Sequence, residues 1–124
     1  MGLYEQIKDI TYEEYIALAH SEVECSTDNL VLNSLQLLSG KWRLIVIFQL
    51  SLKSSFRFGE LKRMIPGITN TMLTTILREL EECGIASRKQ FNEIPPHVEY
   101  SLTIKGKELF PIFFELFKWG VKYL

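Results

Sequence analysis

Cysteine, histidine and aspartate are all scarce in this chain of 124 residues, and each scarcity closes off a class of protein. Two cysteines, Cys25 and Cys83, cannot build a disulfide-stapled scaffold or a zinc cluster. The two histidines, His20 and His97, lie far apart and have no metal-ligand spacing around them, so no metal is expected. The only aspartates, Asp9 and Asp28, have no apolar frame that would tune them for acid–base work. Phosphate-binding glycine loops and the G-x-S-x-G elbow are missing as well. The chain is therefore expected to be no enzyme and to carry no cofactor. Long apolar runs are also lacking. The longest, Leu109–Phe114, holds six residues with Pro111 counted, and Leu44–Phe48 holds five, whereas a membrane-spanning helix needs about 20. The opening Met-Gly-Leu-Tyr-Glu-Gln is not a basic segment followed by an apolar one, so the expected location is the cytoplasm, with no membrane partner.

There is no internal repeat and no Gly-, Ser- or Pro-rich linker. With 47% hydrophobic residues, the chain has enough apolar surface for one folded domain, expected to span residues 1–124. Net charge is only −1, yet it is unevenly spread. Residues 1–39 hold one base and seven acids, residues 40–107 eleven bases and six acids, and residues 108–124 two of each. An acidic arm beside a middle of charge +5 allows a local phosphate-binding face that the total conceals.

The pattern of apolar residues predicts a short helix from Tyr12 to His20. A second should follow the capping candidates Ser26–Asn29 and end at Ser39-Gly40. Lys41–Leu50 is apolar on all sides, as suits a helix at the centre of a small domain. Leu52–Phe56 reads as a loop. Phe58, Leu61 and Ile65 then recur at helical spacing and stop at Pro66-Gly67. Thr69 is an N-cap candidate for a helix running to Cys83, with the apolar stripe Leu73, Ile76, Leu77 and Leu80 and a glycine stop at Gly84. Ile85–Phe91 reads as a strand and Asn92–Pro96 as a turn. Val98, Tyr100 and Leu102 alternate with polar residues as in a half-buried strand. Thr103 should cap a final helix, which Pro111 should interrupt or kink. The fold class is mainly α with a small β-hairpin: a winged helix-turn-helix with extra terminal helices for dimerisation. Its parts are an acidic arm 1–39, a DNA-binding core 40–104 and a dimerisation helix 105–124.

On the helix after Thr69, the face opposite the apolar stripe carries Thr71, Thr74, Thr75 and Arg78, with Asn70 in the first turn. These side chains can read base edges in a major groove; the alternative is a face that is merely solvated. Arg57, Lys62 and Arg63 surround the preceding helix, and Arg88, Lys89 and His97 sit on the hairpin arms, where they can neutralise DNA phosphates. The last helix has apolar residues on several sides. Phe113, Phe117 and Trp119 are the candidates for a homodimer interface, or else pack within one chain.

Taken together, these residues resemble the HxlR-type winged helix-turn-helix regulators of bacteria and archaea. The likeness runs through Gly40-Lys41-Trp42, Arg57-Phe58-Gly59-Glu60-Leu61, Pro66-Gly67-Ile68 and Leu73-Thr74. It continues in Leu77-Arg78-Glu79-Leu80-Glu81, Gly84-Ile85, Ser87-Arg88, the run Pro95–Thr103, Gly106 and Trp119-Gly120. The resemblance implies a prokaryotic, homodimeric transcription regulator acting on double-stranded DNA. It implies a major-groove helix at 69–83, a wing at 91–97 and dimerisation through the terminal helices. In some members a cysteine near the N-terminus senses redox or electrophilic signals, a place for which Cys25 is the candidate here. The start of a helix lowers a thiol's pKa, while Glu22, Glu24 and Asp28 raise it, so the residues leave that role open. Thr71 stands where the family often has a basic residue. Two other readings remain: a winged-helix protein–protein module without DNA binding, and a sensor holding a small-molecule effector between the dimer helices.

Overall fold

The computed structural model describes residues 4–5, 8–19 and 26–124. Cys25 and His20 lie outside the described residues. The chain divides into two compact units, residues 1–39 and 40–124. In the first, α1 (Tyr12–Ala19) is capped by Thr11, whose Oγ1 accepts the Glu14 N–H at 3.1 Å. Helix α2 (Ser26–Leu37) follows. The Ser26–Asn29 cluster thus forms its first turn rather than preceding it. Leu30, Val31, Leu32 and Leu35 of α2 are all exposed.

The second unit is built around α3 (Lys41–Leu50), whose Val46, Ile47 and Leu50 are buried. The expected loop Leu52–Phe56 gives way at its end to a two-residue strand, β1 (Phe56–Arg57). Next come α4 (Phe58–Met64) and α5 (Asn70–Glu82). Strands β2 (Ala86–Phe91) and β3 (His97–Leu102) form the hairpin, followed by α6 (Ile104–Lys107) and α7 (Phe110–Tyr123). The sheet is antiparallel in the order β1-β3-β2. Strand β3 is therefore central, and the alternation expected for a half-buried strand is muted. Five of its six residues are half-buried and only Leu102 is fully so.

Local chemistry explains the breaks. Ile65-Pro66-Gly67-Ile68 closes with the Ile68 N–H on the Ile65 carbonyl at 3.3 Å, and Gly67 takes φ +89°. Proline at the second place of such a turn and a left-handed glycine at the third make a type II turn. Helix α5 starts at Thr69, whose Oγ1 accepts the Met72 N–H at 3.0 Å. It ends with the Ile85 N–H on the Leu80 carbonyl and the Gly84 N–H on the Glu81 carbonyl, around Gly84 at φ +76°. That pair of bonds is the Schellman arrangement, which a left-handed glycine permits. The stripe Leu73, Ile76, Leu77 and Leu80 is buried throughout. Each such side chain contributes about 1.5–3 kcal/mol of transfer free energy, so α5 is pinned by one face and leaves the other to solvent. Thr103 caps only the short α6. Pro111 sits in the first turn of a separate α7, where its missing N–H costs nothing.

Candidate nucleic-acid interface

The outward face of α5 carries Asn70, Thr71, Thr74 and Arg78, all exposed, opposite the buried stripe. Thr75 is half-buried, and its hydroxyl donates to the Thr71 carbonyl at 2.9 Å, so it is turned back onto the helix. Arg43 of α3 pairs with Glu79, one helical step from Arg78. That ion pair ties α5 to α3. Its two members lie 36 positions apart, so no local sequence pattern marks the pair.

Strand alternation separates the two basic residues of the outer wing strand. Arg88 lies opposite Tyr100, which in turn lies opposite the buried Phe56. Lys89 lies opposite Glu99, which lies opposite Arg57. Directly paired residues share a face and neighbours along a strand do not. Arg88 therefore belongs to the face turned toward α5. There it lines, with Thr74, Arg78, Glu81 and Tyr100, a hollow of about 300 Å³ between the helix and the wing. Lys89 belongs to the opposite face, where its Nζ lies 4.9 Å from the ring centre of Phe91. Sequence pattern places Tyr100 in a strand and Glu81 on the helix but neither in the site. The hairpin register could have revealed Tyr100, since pairing Phe91 with His97 across the turn sets Arg88 against Tyr100.

His97 does not present itself as a phosphate contact. Its side chain is 12% exposed and its ring is stacked on Phe91 at 4.6 Å. Nε2 lies 2.8 Å from Glu99 and Nδ1 3.7 Å from Glu93. An imidazole enclosed by two carboxylates is committed to the wing itself. Glu99 also accepts the Ser55 hydroxyl at 2.7 Å. That hydrogen bond, and then the one from His97, hold its carboxyl below the ordinary range. At the other basic cluster Arg57 and Arg63 are exposed and Lys62 is half-buried. The Arg57 N–H donates to Glu60 at 2.9 Å, closing the first turn of α4. Lys53 meets the same carboxylate at 2.6 Å, and these two partners lower its pKa.

On α7, Phe113 is buried against Phe48 and Phe110, with ring centres 4.9 and 5.3 Å away. It belongs to the core of its own chain and is not available to a partner, which corrects its assignment to a dimer interface. Phe117 and Trp119 are 65% and 56% exposed, and Phe114, Leu116, Val121 and Tyr123 are exposed beside them. Cys83 is half-buried just past the end of α5. Among the described residues no group of three or more His, Cys, Asp or Glu could hold a metal ion. No single described helix is long and apolar enough to cross a membrane.

The model of the HxlR-like helix-turn-helix family matches residues 37–124. The chain belongs to that family. An uncharacterized HTH-type transcriptional regulator of Halalkalibacterium halodurans is 47% identical to this HxlR-type chain over 89 residues, which cover 72% of it and 79% of the relative. Among solved structures, a protein of Porphyromonas gingivalis W83, provisionally named a MarR-family transcriptional regulator, matches with a TM-score of 0.68 and 44% identity. The match covers 84% of this chain and 97% of that one. The redox regulator HypR in its oxidized form matches with a TM-score of 0.66 and 40% identity, over 76% of this chain and 96% of that one. This HxlR-type protein is accordingly a DNA-binding transcriptional regulator of winged-helix type and not an enzyme. The resemblance and the fold class read from the sequence are both borne out.

Proposed function

We propose that this regulator binds double-stranded DNA as a cytoplasmic homodimer, with α5 in the major groove and the wing on the flanking backbone or minor groove. Asn70, Thr71, Thr74 and Arg78 are the base-reading residues, and Thr75 shapes the helix beside them. Arg57, Lys62, Arg63, Arg88 and Lys89 meet phosphates. Phe117 and Trp119 of α7 meet a second copy. The observation that carries this reading is the exposed polar face of α5, which shares a hollow with Arg88 of the wing. A helix pinned by one apolar face and flanked by cations on both sides is suited to a groove lined by phosphates. Two-fold pairing of such units suits two half-sites on a duplex.

The test is selection of bound fragments from the source genome, followed by titration of a selected duplex at several salt concentrations. Log affinity should fall linearly with log salt, with a slope of about −0.9 per phosphate neutralised. Affinity indifferent to salt would overturn the reading. Cys25 is carried as a redox sensor on the likeness to HypR. Alkylation of Cys25 at neutral pH should be fast and should change duplex binding; unchanged binding after complete labelling would remove that role.

A further inference from the structure

A second concavity, sharing no lining residue with the hollow beside α5, lies where the end of α3, the following turn, the end of β3 and the start of α7 meet. It encloses about 370 Å³, within the range of small-molecule sites. Its walls are chemically divided. Leu50, Leu102 and Phe110 supply an apolar side that includes one aromatic ring, while Lys53, Lys107 and Ser54 supply a cationic and hydroxylic one. Lys53 already holds Glu60 at 2.6 Å. Lys107 has no carboxylate partner and the Ser54 hydroxyl no hydrogen bond among the described residues, so their donors are unspent. The carbonyls of Ile47, Phe48 and Gln49 at the end of α3 would repel an anion. They are covered by the N–H groups of Ser51 and Leu52 at 3.1–3.2 Å.

We propose that this pocket is a binding site for a small organic monoanion with a compact apolar body, such as an aromatic or branched aliphatic carboxylate. The body lies against Phe110, Leu50 and Leu102, and the carboxylate accepts from Lys107 Nζ and the Ser54 hydroxyl. A charged acceptor is favoured over a neutral amide because a hydrogen bond between an ammonium and a carboxylate is roughly twice as strong as one to a neutral acceptor. Phe110 also packs edge-on to Phe48 and Phe113 at 5.6 and 5.3 Å. The pocket therefore abuts the root of the helix that bears the exposed Phe117 and Trp119, which is where an effector could act.

The experiment uses the full chain, without DNA, so that its outcome is independent of the DNA-binding reading. Phenylacetate and its neutral counterpart phenylacetamide are titrated into nitrogen-15-labelled protein. Phenylacetate should move the amide resonances of Leu50–Ser54, Leu102 and Lys107–Phe110 saturably, with Kd of about a millimolar for so few atoms. Phenylacetamide should bind at least about tenfold more weakly, and Lys107→Gln should remove most of that difference, as loss of one charge-assisted contact predicts. The same spectra report that the variant is folded. Equal binding of the two compounds, saturable shifts confined to another part of the chain, or no shifts at all would each overturn the proposal.

Discussion

Gly106→Ala should destabilise the protein although the backbone at that position suits any residue. Gly106 lies in α6, is buried and does not have a positive φ. By helix propensity alone, alanine there should gain up to about 1 kcal/mol. Space decides otherwise. A Cβ on Gly106 would stand 2.4 Å from the carbonyl oxygen of Ile85 and 3.0 Å from Leu102 Cδ2. Carbon and carbonyl oxygen normally approach to about 3.3 Å, so the backbone must yield by nearly 1 Å. The obstacle cannot rotate away, because that carbonyl accepts the Thr103 N–H at 3.0 Å and is also met by the Thr103 hydroxyl at 3.1 Å. Overpacking of this kind costs about 1–3 kcal/mol, and a backbone obstacle puts it at the upper end. The net loss should be about 2 kcal/mol, lowering Tm by roughly 8–16 °C for a unit of this size. Gly59→Ala is the control. Its Cβ would meet only an Arg63 guanidinium nitrogen at an ordinary 3.6 Å, so it should be neutral or gain up to about 1 kcal/mol. Urea and thermal unfolding of both variants supply the measurement. A Gly106→Ala protein as stable as wild type would refute the packing argument, and so would a Gly59→Ala protein that loses as much.

Arg78→Ala should cost about 1–3 kcal/mol on the selected duplex and relax its base preference. Arg88→Ala should weaken specific and random duplexes alike and reduce the salt slope by about one; quantitative gel shifts on both duplexes separate the two outcomes. Phe117→Asp should yield monomers in sedimentation at micromolar concentration, since a carboxylate is not buried unpaired in an apolar contact. Phe113→Ala should instead cost about 3–5 kcal/mol of stability, as loss of a core phenylalanine does. The Glu99 carboxyl sits below its ordinary value of 4.5 through its bonds to Ser55 and His97. Its contribution to stability is then fully present above pH 4.5 and is lost as pH falls through the lowered value. Glu99→Gln should flatten that acid-side decline in urea unfolding measured from pH 6 downward.

The elements legible in the sequence were those whose signals are local. Thr69 before a clean apolar stripe and Gly84 after it delimit α5, and Pro66-Gly67 marks the bend before it. Strand β1 was not legible, because two residues carry no period. Phe56 and Arg57 become a strand only by pairing with Tyr100 and Glu99, more than forty positions later. Separations of 44 and 36 positions likewise hid the Ser55–Glu99 bond and the Arg43–Glu79 pair. The place of His97 on a hairpin arm and the apolar residues on several sides of the last helix predict outward roles for His97 and Phe113. Their actual partners override that expectation: Glu99, two positions along the same strand, and Phe91 across the hairpin for His97, and Phe48 on α3 for Phe113.

The three-strand row Arg57–Glu99–Lys89 sets a rule for which insertions this wing can survive. The two cations are held two strand spacings apart, about 9.6 Å, with a carboxylate between them to relieve their repulsion. Extra residues in the turn 92–96 would lengthen the tip and leave that gauge unchanged. One extra residue between His97 and Glu99 would shift the register by one and set Arg88 against Glu99 in place of Lys89, because a strand repeats every two residues. Relatives that differ in wing length should therefore differ in the turn, and a designer seeking longer reach along DNA should add residues there and nowhere else in the hairpin.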